Sequence, residues 1–252
     1  MPERLSLIVP VWRAPANVLA ITTTRLGGES LAPYGGLNLG DHVGDSAESV
    51  QSNRLQLAHT LPDGAAVSWL TQVHGTAVVE ALAGVHGPDA DAQWSRAPGV
   101  ACAVLTADCL PVLFCAAGGE AVAAAHAGWR GLQAGVLEAT VAAMDIDPAE
   151  VLAWLGPAIG PDAFEVGAEV RDAFLGAAGP GLSSDTAACF RACPGSPGKW
   201  FADLYGLARI RLRALGVDRI SGGQWCTYGD PARFYSHRRD GVTGRMASLV
   251  LL

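Results

Sequence analysis

Apolar and polar positions along this chain predict strands separated by short helices, with the strands concentrated in the middle. "NVLAITTTRLGG" (17–28) reads as a strand ending in a glycine turn, and "YGGLNLGDHVGD" (34–45) as a polar, glycine-rich loop. In "SAESVQSNRLQLAHTL" (46–61), Ser46 is a helix N-cap, with Val50, Leu55 and Leu57 apolar and the charges opposite. "AAVSWLTQVHGTAVVEA" (65–81) gives two short strands around Gly75, with His74 at the turn, and strands follow at 100–105, 111–116 and 121–126. "GLQAGVLEATVAAM" (131–144) spaces Leu132, Val136, Leu137 and Val141 as a helix after a glycine-marked start. "VLAWLGPAIG" (151–160) is a buried strand, while "GAEVRDAFLGAA" (167–178) and "WFADLYGLARIRLRALG" (200–216) are helices. A strand at 219–223, a polar loop and the apolar strand "MASLVLL" close the sequence.

No repeat and no linker interrupts this order; the Pro/Gly stretch at 193–198 is too short to separate two cores. The expectation is one domain over residues 1–252, of α+β class, with mixed β-sheets flanked by helices.

Composition narrows the function. Half of the 252 residues are hydrophobic and 16% are charged, which is the balance of a globular chain. A net charge of −7 excludes a general nucleic-acid binder, but leaves room for a small anion held by a few local arginines. The start, "MPERLSLIVPVWRAP", lacks the pattern of an export signal, and no apolar run reaches a membrane span, so the expected address is the cytoplasm; a monomer is the default state. The six cysteines have no framework spacing and are expected as free thiols or metal ligands. Cys189 and Cys193, in "CFRACPGSPGKW", are expected in a surface loop.

Candidate chemistry lies in "TADCLPVLFCAAGGEAVAAAHAGWRGL" (106–132). A hairpin loop over 117–120 pairs 116 with 121, sets 111 opposite His126, and leaves Cys109 on the diagonal, roughly 7 Å or less away. His74 sits at another strand end. Two histidines and a cysteine match a catalytic zinc site with one open position; Cys226 or Asp108 as a fourth ligand would close it. The same spacing also suits a thiolate–imidazolium pair, and geometry alone does not choose. Among the arginines, Arg25 precedes Gly27-Gly28, Arg130 lies between a strand and a helix start, and Arg238 clusters with Arg239 and Arg245; beside a helix N-terminus, guanidinium and backbone N–H groups together bind oxyanions. The Walker lysine, the H-x-E/P-C-x-x-C deaminase signature and the G-x-S-x-G elbow are missing.

Together "WLTQVHG", "TADCLPVLFC", "AAAHAGWRGL", "LGPAIGPDAFEVG" and "FYSHRRDGVTGRMASL" resemble the YfiH family, also labelled multicopper polyphenol oxidase or laccase-domain proteins. The resemblance runs from about "TTTRLGG" to the C-terminus. It implies the α/β sandwich shared with cytotoxic necrotizing factor toxins, and His74, Cys109 and His126 as zinc ligands. It also implies phosphorolysis of adenosine, inosine and S-methyl-5'-thioadenosine to free base and ribose 1-phosphate, with adenosine deamination beside it. Asp108 is then the candidate for proton transfer, Arg130 and Arg238 for phosphate, and Arg25, Asn38, Gln72 and Arg238 for substrate. A multicopper site needs many histidines; six, with no H-x-H pair, fit one metal, so copper-dependent phenol oxidation ranks second. A Cys–His hydrolase acting on an amide such as a peptidoglycan precursor, and a non-catalytic zinc module, are the further alternatives.

Overall fold

The computed structural model describes residues 5–83 and 86–252. Strands β1 (Leu7–Ile8) and β2 (Leu19–Thr23) lead to helix α1 (Ala47–Ala58). Then come β3 (Ala66–Thr71), β4 (Val78–Glu80), β5 (His86–Asp89), β6 (Ala92–Ser95), β7 (Val100–Thr106), β8 (Leu110–Ala116) and β9 (Val122–Ala127). Helices α2 (Trp129–Ala134) and α3 (Val136–Met144) precede β10 (Val151–Leu155), β11 (Glu165–Gly167), α4 (Ala168–Gly176) and α5 (Ser183–Ala188). The remainder is β12 (Phe190–Ala192), β13 (Lys199–Ala202), α6 (Leu204–Ala214), β14 (Arg219–Gly222), α7 (His237–Asp240) and β15 (Met246–Leu251).

One large sheet has the order β1-β2-β15-β7-β3-β5 and the other β14-β10-β8-β9-β6-β4, each mixing parallel and antiparallel pairs; β11-β13-β12 form a small third sheet. Alternation along each strand builds three apolar layers. Cys102 and Val104 of the first sheet meet Leu113, Cys115, Val122 and Trp154 of the second. The first sheet's other face, with Ala103, Leu105 and Leu249, is covered by Leu57 of α1 and by Leu37 and Leu39. The second sheet's other face, with Val112, Phe114 and Ala125, is covered by α3 and α6 through Leu137, Val141, Leu207 and Leu212. The result is a sandwich of two sheets between helical layers, in agreement with the expected mixed sheets flanked by helices.

The Ser46 N-cap is present, its side chain accepting from Ser49 N–H. The β8–β9 hairpin has the expected register, with Pro111 opposite His126 and Cys115 opposite Val122. Three readings need correction. The helix over 131–144 is two helices, α2 and α3, broken at Gly135, whose φ of 107° lies in the left-handed region. The stretch taken as the start of the 200–216 helix is strand β13, which pairs with β11 and β12; Asp203 then caps α6 by accepting from Gly206 N–H. The segment between Cys189 and Cys193 is strand β12, and Cys193 is buried.

Candidate metal centre

The chain crosses from the first sheet to the second at two points that matter here: from β3 to β4 through His74, and from β7 to β8 through Asp108 and Cys109. His126 arrives from the end of β9. All three side chains meet at one end of the sandwich.

A buried carboxylate organises the meeting. Asp91, fully buried just before β6, accepts from the backbone N–H groups of Val73 (3.2 Å), His74 (2.9 Å) and Gly75 (2.6 Å). Wrapping three successive amides round one anion places His74 at φ 61°, in the left-handed region. The same carboxylate lies 2.8 Å from Nδ1 of His126. Asp91 can only accept, so Nδ1 carries the proton and Nε2 of His126 is turned to the site. Burial alone pushes Asp91 up, but the bonds from His126, Gly75 and His74 outweigh it and hold it below the usual carboxylate range.

Cys109 Sγ lies 3.9 Å from His74 Nε2, and the two imidazole rings stand edge to face with centroids 4.8 Å apart. The three donor atoms all lie within 4.8 Å of one another. Usual Zn–N and Zn–S bond lengths in a tetrahedron separate such donors by about 3.3–3.6 Å, so small side-chain torsions close the set around an ion. Gly128 keeps the middle clear: a Cβ there would sit 3.0 Å from Cys109 Sγ and 3.0 Å from His74 Cδ2. The electrostatics pair a Cys109 thiolate with a His126 imidazolium, whose Nε2 proton an ion would replace. Burial pushes the Cys109 thiol up, but the charge of His126 and hydrogen bonds from both histidines outweigh it and bring it down to about 6. His126 is lowered by burial but raised further by Cys109 and Asp91, to about 9. Burial drives Cys102 and Cys115 the other way. Cys109 is therefore set apart as a thiolate, the form that ligates. The residues fit a single ion held by two imidazoles and one thiolate.

The remaining candidates divide. Asp108, at φ 91°, is buried and already accepts from Thr227 Oγ1 (2.6 Å), Ser236 Oγ (3.0 Å) and Arg238 N–H (2.7 Å). Cys226 Sγ receives the N–H groups of Gly160 and Gly229, both at 3.3 Å, and is outside the three-donor group. Arg238 donates to the Glu165 carbonyl and lies over the Phe164 ring. Arg130 is exposed and stacked on Trp129. Three substrate candidates face backbone groups. Arg25 donates to the carbonyls of Gly35 and Pro231. Asn38 is buried between the amides of Gly40 and Arg245 and the Asp45 carboxylate. Gln72 pins Leu105 through both ends of its amide. A cleft of about 130 Å³ opens beside Cys109, with Trp129, Ile159, Phe164, Leu204, His237 and Arg238 on its walls. Asp91, Gly128 and His237 were not picked out from the sequence.

The profile of the multi-copper polyphenol oxidoreductase laccase family matches residues 19–252. The chain is 54% identical to purine nucleoside phosphorylase PA4543 of Pseudomonas aeruginosa, over 97% of this chain and 98% of that protein. It is 51% identical to purine nucleoside phosphorylase YfiH of Escherichia coli, over 98% of each. The chain belongs to the YfiH family. Among solved structures, protein NMB0706 of Neisseria meningitidis superposes with a TM-score of 0.91 at 51% identity, covering 98% of each chain. YlmD of Geobacillus stearothermophilus superposes at 0.86 and 32% identity, covering 96% of this chain and 98% of the other. The YfiH-family sandwich thus accounts for nearly the whole chain. Among the described residues, no helix is long and apolar enough to cross a membrane.

Proposed function

We propose that this chain is a zinc-dependent purine nucleoside phosphorylase that converts adenosine, inosine or S-methyl-5'-thioadenosine to free base and ribose 1-phosphate, with adenosine deamination as a second activity. The observation that carries the reading is a three-donor cluster, kept open by Gly128, beside a cleft with aromatic walls. The names of the Pseudomonas and Escherichia relatives supply the reaction class. His74, Cys109 and His126 would hold the zinc, which would supply Lewis-acid chemistry at the cleft.

The chain's own residues do the rest. Asp91 fixes the tautomer of His126 and the turn that presents His74. Asp108, with three donors on its carboxylate, is a positioning residue that ties the Thr227–Arg238 loop to the ligand loop; proton transfer by it in deamination requires one of those bonds to loosen. Arg238, on the cleft wall, is the first choice for phosphate and Arg130 the second, because phosphorolysis needs an anion held beside the sugar.

A second reading has its own observation. Asp91, His126 and Cys109 form an acid–imidazole–thiol series, the arrangement of an activated cysteine nucleophile. Copper on the same ligands, oxidising phenols, is a further reading, supported by the family description.

Metal content of tag-free protein, with nucleoside turnover measured with and without phosphate in wild type and Cys109→Ala, separates them. About one zinc per chain and phosphate-dependent release of base, both lost in the variant, is the expected result. Metal-free protein whose Cys109 is rapidly alkylated overturns the reading in favour of the nucleophile. Phenol oxidation by copper-loaded protein that leaves nucleosides untouched overturns it in favour of the oxidase.

A further inference from the structure

We propose that the cleft beside Cys109 seats the purine ring, and that His237 on its wall reads position 6 of that ring, favouring 6-aminopurines over 6-oxopurines. The inference rests on the nucleoside reading above and adds where the base lies and what discriminates it.

Volume sets the first limit. At about 130 Å³ the cleft is well below the roughly 300–1,000 Å³ that encloses a drug-sized ligand, so it takes one flat ring system and leaves the sugar outside. Its walls suit such a ring. Trp129 and Phe164 are aromatic, Ile159 and Leu204 aliphatic, and each aromatic ring is braced by a guanidinium: Arg130 over Trp129 at 4.5 Å and Arg238 over Phe164 at 5.4 Å. Stacking on aromatic side chains accepts any base, because every base has a π-face. Selectivity must therefore come from a polar group.

His237 is that group. Its Nδ1 lies 2.7 Å from the Gly241 carbonyl oxygen. A carbonyl only accepts, so Nδ1 carries the hydrogen, and in the neutral ring Nε2 is left as a bare acceptor. Two other polar groups of the cleft already have protein partners, and Cys109 belongs to the three-donor cluster. The Asp108 carboxylate takes donors from Thr227, Ser236 and the Arg238 backbone, and the Arg238 guanidinium donates to Glu165. An acceptor matches the exocyclic N–H of a 6-aminopurine and opposes the lone pairs of a 6-oxo group.

The test compares kcat/KM for adenosine and inosine in wild type, His237→Phe and His237→Gln. In parallel, adenine is titrated against wild type and Trp129→Phe with tryptophan fluorescence as the readout. A metal content equal to wild type marks a folded variant. We expect adenosine to be favoured in wild type and the adenosine-to-inosine ratio to fall about tenfold in His237→Phe, as for loss of one hydrogen bond. We also expect adenine to quench wild-type fluorescence and most of the quench to vanish in Trp129→Phe. A ratio unchanged within twofold in both His237 variants, or a full quench in Trp129→Phe, overturns the proposal. Failure of the phosphorylase reading looks different: no nucleoside is turned over, yet adenine still quenches Trp129 and binds more weakly to His237→Phe.

Discussion

Asp91 supports the site without being one of its three candidate ligands. Its carboxylate accepts three backbone amides of the His74 turn and holds His126 by Nδ1. Asp91→Asn keeps the shape but sets an amide NH₂ against donors. Metal affinity is expected to fall about 10–100-fold, as for other groups that orient a ligating histidine, with a lowered Tm. Competition against a chromophoric chelator measures the first and a thermal melt the second; unchanged affinity would show that the His74 turn holds its form unaided. At this scale the sequence was legible where arithmetic applies. Facing positions in a hairpin sum to a constant, so the sequence alone brings Cys109 and His126 together. Asp91 escaped because it stands between two four-residue strands, where an aspartate reads as an ordinary turn residue. Gln72 and Asn38 sit in the right loops, but their amides bond to backbone, and residue type alone does not tell a backbone clamp from a substrate contact.

Among the elements, the break between α2 and α3 was invisible to periodicity. A single left-handed residue turns the axis while Leu132, Val136 and Leu137 all remain buried, so the apolar spacing survives. Gly135 tests the point cleanly, because a Cβ there meets nothing nearer than Glu138 Oε2 at 3.6 Å. The cost of Gly135→Ala is then almost wholly backbone strain, about 1–2 kcal/mol. That corresponds to a Tm lower by about 2–8 °C in a domain of this size. Gly135→Asn, which tolerates the left-handed region, is expected to lose less; equal losses in a thermal denaturation series would mean that packing, not φ, sets the cost. The β13 strand was hidden for a related reason: its aromatic residues run directly into the apolar face of α6, and only the Asp203 cap marks the boundary.

At the level of the whole molecule, fold class was legible from the mixture of strand and helix patterns, whereas sheet membership was not. Consecutive strands such as β3 and β4, or β7 and β8, fall in different sheets, and no local signal says so. Two of the three proposed ligands, His74 and Cys109, sit on these crossovers, so a bound ion would tie the two sheets together at one end. Removing it with a chelator is expected to lower Tm. An ion present at 100 times its Kd contributes about 2.7 kcal/mol, or about 5–11 °C at this chain length. The shift should be absent in Cys109→Ala, and differential scanning fluorimetry with and without chelator reads both. A wild-type Tm that ignores the chelator would mean that the ligands are held by Asp91 and Gly128 geometry alone. The order of the first sheet has a consequence for synthesis. Strand β15 lies between β2 and β7, and the Thr22–Ser248 side-chain bond across it spans 226 residues of sequence. At a translation rate of about 5–20 residues per second, β2 waits roughly 10–45 s for its neighbour. Through that interval the edge of β2, joined later by that of β7, stands open at the ribosome, where a shielding chaperone has the most to protect.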